Sequence, residues 1–173
     1  MSVTIDGSAS VTINSGAILG ITSGTAVAST SGTSIDFTSI PSWVKRITVM
    51  FAGVSTNGTS KIRIQIGAGS VETTGYAGTG SYIAGSVGSA NFTSGFELTD
   101  AQAATAVRQG AFTLTTLGSN IWVMTGAIGQ SDSTYTAFIY GSKTTSGTLD
   151  RVRITTVNGT DTFDAGTINI LYE

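Results

Sequence analysis

The sequence predicts an all-β fold, an antiparallel sandwich or jelly roll with an extended N-terminal arm. Three observations predict it. Segments rich in Thr, Val and Ile recur at spacings of about 10–20 residues, separated by polar turns. Within those segments apolar and polar positions alternate, so that one face of each strand is apolar. There are 23 Gly, 22 Ser and 30 Thr but only one Pro in 173 residues, a composition suited to short strands and tight turns. A β-solenoid is the alternative architecture, but no fixed-period repeat supports it.

Residues 1–34 read as the arm. Val3, Ile5, Val11 and Ile13 form two brief β runs, and glycines at 16, 20, 24 and 32 punctuate a Ser/Thr/Ala stretch. The alternating Val and Ile are expected to add strands to a neighbouring subunit. Residues 35–173 read as the β domain. It opens with a short strand at Ile35–Phe37, a corner at Pro41, where the ring fixes φ, and a strand from Val44 to Phe51. Ile47, Val49 and Phe51 are expected inside, with Arg46, Thr48 and Met50 on the other face. Trp43, just after the corner, is expected to be buried against the sandwich.

A Gly/Ser/Asn loop leads to Lys61–Ile66, where Ile62, Ile64 and Ile66 alternate with Lys61, Arg63 and Gln65. The two runs predict a hairpin with a long loop. Residues 67–90 are Gly-rich and read as a loop carrying Tyr76 and Tyr82. Phe92–Leu98 predicts a strand. Thr99–Arg108 is the one helix-like window, with Thr99 or Asp100 as a cap, and is short enough to be a marginal helical turn or a loop. Further strands are predicted at Gly110–Thr116, Asn120–Ile128, Thr134–Tyr140, Arg151–Thr156 and Thr167–Tyr172. In Asn120–Thr125, Trp122 and Met124 share one face and are expected in the core.

Charged residues make up 10% of the chain and apolar residues 40%. A surface so poor in charge does little to prevent self-association. The chain is therefore expected to be an obligate part of an assembly, a homotrimer closed by symmetry. Net charge is −2, with the cations scattered, so the electrostatic footprint of nucleic-acid binding is missing. The N-terminus lacks the charged and apolar regions of a secretory signal, and no run reaches the length of a membrane span. The expected compartment is the bacterial cytoplasm, without membrane insertion. The Asn57, Asn91 and Asn158 sequons then mark turns or strand starts rather than glycans.

The chain contains neither His nor Cys. A Ser-His-Asp or Cys-His arrangement is impossible within it, and Cys/His zinc sites are excluded. Asp161 and Asp164 are the closest-spaced carboxylates. They can be read as calcium ligands or a glycosidase pair, but as turn residues capping backbone they need no further role. No catalytic residue, metal ligand or cofactor is expected. Tyr76, Tyr82, Tyr135 and Tyr140 are the candidate ligand contacts, because tyrosine among Gly and Ser suits adaptable recognition.

Three segments carry a resemblance: Gly24–Phe51 with its strand–Pro41 corner–strand, Gly53–Ser60 with the isoleucine strand after it, and Asn158–Glu173. Together they cover about a third of the chain. They resemble tail-fibre and other virion structural proteins of tailed bacteriophages. The resemblance implies a trimeric, β-rich virion part without cofactors. It implies a short tail fibre or adhesin, the four tyrosine positions touching a host surface glycan and residues 1–34 anchoring it to other virion proteins. Similar β domains also serve as capsid decoration proteins, so a cement protein stabilising the head is the alternative. A polysaccharide-degrading tailspike fragment is a third.

Overall fold

The computed structural model describes residues 20–99 and 103–173, together with the backbone of two short strands, β1 (Thr12–Ile13) and β2 (Gly16–Ala17). Val3, Ile5 and Val11 lie outside the described residues. Of Ile13, only its backbone pairing with Gly16 is described. Fourteen further strands follow: β3 (Thr22–Ser23), β4 (Val27–Ala28), β5 (Ser34–Phe37), β6 (Arg46–Thr56), β7 (Ile62–Ala68), β8 (Ser70–Val71), β9 (Tyr76–Ile83), β10 (Val87–Phe92), β11 (Phe96–Glu97), β12 (Arg108–Gly118), β13 (Ile121–Gln130), β14 (Thr136–Thr144), β15 (Arg151–Thr156) and β16 (Phe163–Tyr172).

The protein is all-β and sandwich-like, and every strand pairing is antiparallel. The large sheet has the order β10-β9-β14-β13-β12-β6-β16-β3, with β4 also on β16. The small sheet has the order β11-β7-β15-β5, with β8 on β7. Their inner faces share one core. Ile47, Val49, Phe51, Phe112, Leu114 and Met124 enter it from the large sheet, and Ile62, Ile64, Ile66, Val152 and Ile154 from the small one. The alternations predicted for β6 and β7 therefore hold. Trp122 is also a core residue, at 5% exposure.

Four expectations are corrected. β6 and β7 do not form a hairpin. β6 lies between β12 and β16, β7 between β11 and β15, and residues 57–61 carry the chain from one sheet to the other. The Gly-rich stretch 67–90 contains the hairpin of β9 and β10. The Phe92–Leu98 run is two strands in different sheets, broken by a bend at residues 93–95. The described residues of the 99–108 window hold a turn, closed by Ala106 N–H donating to Ala103 at 3.0 Å, as its short length allows. Finally, Trp43 is half-buried, its ring against Tyr172 at 5.9 Å.

The hairpin joining β12 and β13 shows how turn chemistry sets register. Ser119 and Asn120 take φ of 48° and 62°, as a type I′ turn requires at its two central positions. That turn, together with the one-residue bulge at Leu117, fixes the frame in which Phe112, Leu114, Trp122 and Met124 all point inward.

The segment before Ile35 is not wholly separate from the domain. β3 and β4 pair with β16 of the same chain. Gly24 N–H donates to Ile170 at 2.8 Å, Ser29 N–H to Gly166 at 2.9 Å, and the fully buried Ser29 hydroxyl to Ala165 at 2.8 Å. Deleting residues 1–34 should therefore destabilise the sandwich. Three such bonds at about 1 kcal/mol each suggest a loss of roughly 3 kcal/mol. A deletion ending before Gly20 spares all of them. Chemical denaturation of the two truncations checks this. Equal midpoints would show that β3 and β4 contribute nothing.

Candidate interaction surface

Strand alternation gives each sheet an inner and an outer face, and the two outer faces differ in chemistry. On the small sheet the outer face is charged and internally paired. Arg63 donates to Glu97 across β7 and β11 at 2.8 Å. Arg153 on β15 forms a fork with Asp36 directly opposite on β5, at 2.7 and 2.8 Å. Arg151 does the same with Asp150, at 2.7 and 3.1 Å. The hydrogen bonds from Arg151 hold the Asp150 carboxyl below its ordinary range. Bidentate pairs of this kind fix geometry as well as charge.

The outer face of the large sheet is uncharged. The strand registers place its side chains in four cross-strand rows. One runs Asn91, Thr79, Tyr140, Thr125, Thr113, Thr48, Leu171, Ser23. Beside it run Ser89, Ser81, Phe138, Ala127, Ala111, Met50, Asn169. The outer two rows are Ala77, Ser142, Val123, Thr115, Arg46 and Val87, Ile83, Thr136, Gly129, Gln109, Ala52, Thr167, Ala28. Arg46 is the one charged residue in these rows. It sits at a corner and is paired with Glu173.

The exposed large apolar residues gather on this face. Ile83, Val87, Leu117 and Tyr140 project from it, and Ile21 shares a shallow depression with Thr48, Thr113 and Leu171. Among the described residues only Val157, of the six exposed large hydrophobics, lies elsewhere. Singly such residues need no explanation, but an uncharged face that also carries five of the six marks a candidate interaction site.

The four candidate tyrosines separate. Tyr76 is buried on β9 at 3% exposure. Its hydroxyl bonds with Ile66 and Glu72, and its ring packs edge-on against Phe96. Burial pushes its hydroxyl pKa well up. Tyr135 is buried at 5%, donates to the Thr99 carbonyl at 3.0 Å and stacks on the half-buried Tyr82. Tyr76 and Tyr135 are thus packing residues and not loop contacts, because each hydroxyl has a backbone partner inside the protein. Tyr140 alone presents most of its ring to solvent, from the centre of the uncharged face rather than from a loop.

Asp161 is a turn residue, whereas Asp164 stands on β16, beside its bulge, rather than in a turn. Asp161 accepts from Ser60 N–H at 2.8 Å and from the Asn158 amide at 2.6 Å, and Asp164 accepts from the Ser55 hydroxyl. The Asn158 amide holds the Asp161 carboxyl below its ordinary value. The bond from Ser60, with those of Asn158 N–H to the Ser60 hydroxyl and Thr162 N–H to the Asn57 side chain, straps the 57–60 loop to the 157–162 loop. No group of three or more Asp, Glu, His or Cys able to hold a metal occurs among the described residues.

One ion pair is largely enclosed at the sheet edge. Lys143 meets Glu72 at 2.5 Å and lies 5.6 Å from the centre of the Tyr76 ring. Burial pushes the Glu72 carboxyl up, but bonds from Lys143 and Ser146 outweigh it and hold the pKa below its ordinary value. Comparison with known proteins adds nothing to this geometry: no family model, no curated protein and no solved structure matches the chain.

Proposed function

We propose that the chain is a non-enzymatic structural protein of a bacteriophage virion, a trimeric short tail fibre or adhesin that contacts the host surface. The observation that carries the reading is the contrast between the two faces. A sandwich with one charged, internally paired face and one broad uncharged face is built to sit in an assembly, charged side outward. The resemblance of Gly24–Phe51, Gly53–Ile66 and Asn158–Glu173 to tail-fibre-type proteins supplies the virion setting. Of the four candidate tyrosines Tyr140 alone is exposed, and it stands on the uncharged face that the assembly covers rather than on the charged face turned outward.

A capsid decoration protein is the second reading. It is favoured by the compact sandwich, whose N-terminal strands β3 and β4 fold back onto its own sheet. Labelled antibody on intact virions tests both readings. Label at the tail supports the fibre, and label over the head supports the cement protein. Particles that bind no antibody, although the chain is expressed during infection, overturn the virion reading.

A further inference from the structure

We propose that the uncharged outer face of the large sheet is where copies of this chain pack on one another. The inference rests on the assembly reading above in taking the chain as one part among several copies, but one face meeting itself closes two-fold pairs, so it joins copies in twos rather than in the threes of that reading. Its own argument comes from the face. The 28 positions of the four rows, at about 4.8 Å between strands and about 6.7 Å between rows, span roughly 900 Å². A stable protein–protein interface needs about 800 Å² per partner, so the face suffices even where sheet twist lifts its corners away.

Charge complementarity selects the occupant. The face offers no charge to pair, apart from Arg46, which Glu173 already occupies. A charged partner would lose hydration on docking and gain no counter-charge. The occupant must itself be broad, flat and uncharged. Among the described residues this same face fits that description, and the small sheet's outer face does not. Hydroxyl and methyl groups of Thr113, Thr125, Ala111 and Ala127 can meet their own kind at the usual sheet-to-sheet spacing of about 10 Å. Phe138 and Met50 flank them in the same row as Ala111 and supply apolar area to bury.

Sedimentation of the purified chain at micromolar concentration tests the proposal. The expected result is an oligomer. Thr113→Asp and, separately, Ala127→Asp place an unpaired charge at the centre of the face, too short to reach its rim. Each should weaken association at least about a hundred-fold while keeping the β-sheet spectrum. Thr160→Lys, on an exposed loop, should leave association unchanged. A folded wild-type species of 17.5 kDa, or face variants as associated as wild type, would overturn the inference.

A second measurement covers variants that fail to fold. The natural chain lacks cysteine, so Thr125→Cys introduces a single thiol. A bis-maleimide spanning the sheet-to-sheet gap of about 10 Å should join two Thr125→Cys copies but not two Thr160→Cys copies. Equal yields would overturn the proposal. Virion labelling is independent of these results. Monomers on labelled particles would sink this inference alone, and oligomers that never reach a particle would sink the virion reading alone.

Discussion

Phe96→Ala is expected to destabilise the fold by roughly 3–5 kcal/mol, the usual cost of emptying a buried aromatic site. Phe96 belongs to β11, only two residues long, and the side chain is fully buried. Its ring meets Tyr76 at 5.0 Å and Phe92 at 5.9 Å, both nearly edge-on. Tyr76 and Phe92 belong to β9 and β10 of the large sheet, whereas β11 is the edge of the small one. Phe96 therefore pins one sheet to the other where the small sheet is narrowest. Each aromatic pair is worth about 0.5–1.5 kcal/mol beyond burial, which places the substitution toward the upper end of the range. At about 2–4 °C per kcal/mol for a domain of this size, the melting temperature should fall by some 10 °C or more. Thermal melts of Phe96→Ala and Phe96→Leu provide the check, with Leu expected to recover part of the loss. A Phe96→Ala melt within about 2 °C of wild type would show that the sheets are held together elsewhere.

The parts of this architecture that were legible in the sequence are those with dense apolar alternation. β6, β7, β13 and β15 follow from Ile47/Val49/Phe51, Ile62/Ile64/Ile66, Trp122/Met124 and Val152/Ile154, because only a pleated strand puts those residues on one side. β9 and β10 escape the same reading because Gly78, Gly80, Gly88 and Ala90 fill most of their inward positions, leaving Tyr76, Tyr82 and Phe92 too far apart to read as an apolar alternation. The reason lies in the third dimension. The Phe92 ring lies over Gly78, where an added Cβ would come within 2.6 Å of it. One aromatic thus covers ground that several aliphatic residues would otherwise fill.

The supposed hairpin of β6 and β7 failed for a different reason. Adjacent apolar runs say that two strands exist, but not whether the loop between them turns within a sheet or crosses between sheets. The uncharged face was half visible. In β12 the outward set Ala111, Thr113, Thr115 and Leu117 lacks charge, whereas in β7 the outward set includes Arg63. Only the strand order shows that such uncharged sets lie side by side while the charged ones gather on the opposite sheet. Tyr76 and Tyr82 were misplaced because their Gly and Ser neighbours read as a loop, although both stand on β9.

The bulged edge of the large sheet carries the second large effect. β16 follows β6 with register shifts on either side of Ala165, and β12 follows β6 with a shift that skips Gly53. Gly53 and Gly166 face each other at this bulge, with φ of 70° and 93°. A Cβ on Gly166 would lie 2.3 Å from the Gly53 carbonyl oxygen and 2.7 Å from Val54 N. Both obstacles are backbone, held in place by strands on either side, so neither can swing away as a side chain would. Positive φ for a residue with a Cβ adds about 1–3 kcal/mol of strain, and the overlap adds more. Any relief by widening the bulge would also disturb Ser29, whose N–H bonds the Gly166 carbonyl and whose hydroxyl bonds that of Ala165. Gly166→Ala should therefore cost at least about 3 kcal/mol and lower the melting temperature by some 6–12 °C. Ala52→Gly, on the outer face one residue before Gly53, serves as the comparison, since it removes a Cβ without forcing any close approach. Its cost should stay near 1 kcal/mol, the ordinary penalty for glycine in a strand. Should Gly166→Ala melt as high as Ala52→Gly, the paired-glycine bulge would not be what fixes the path of β16 against β6.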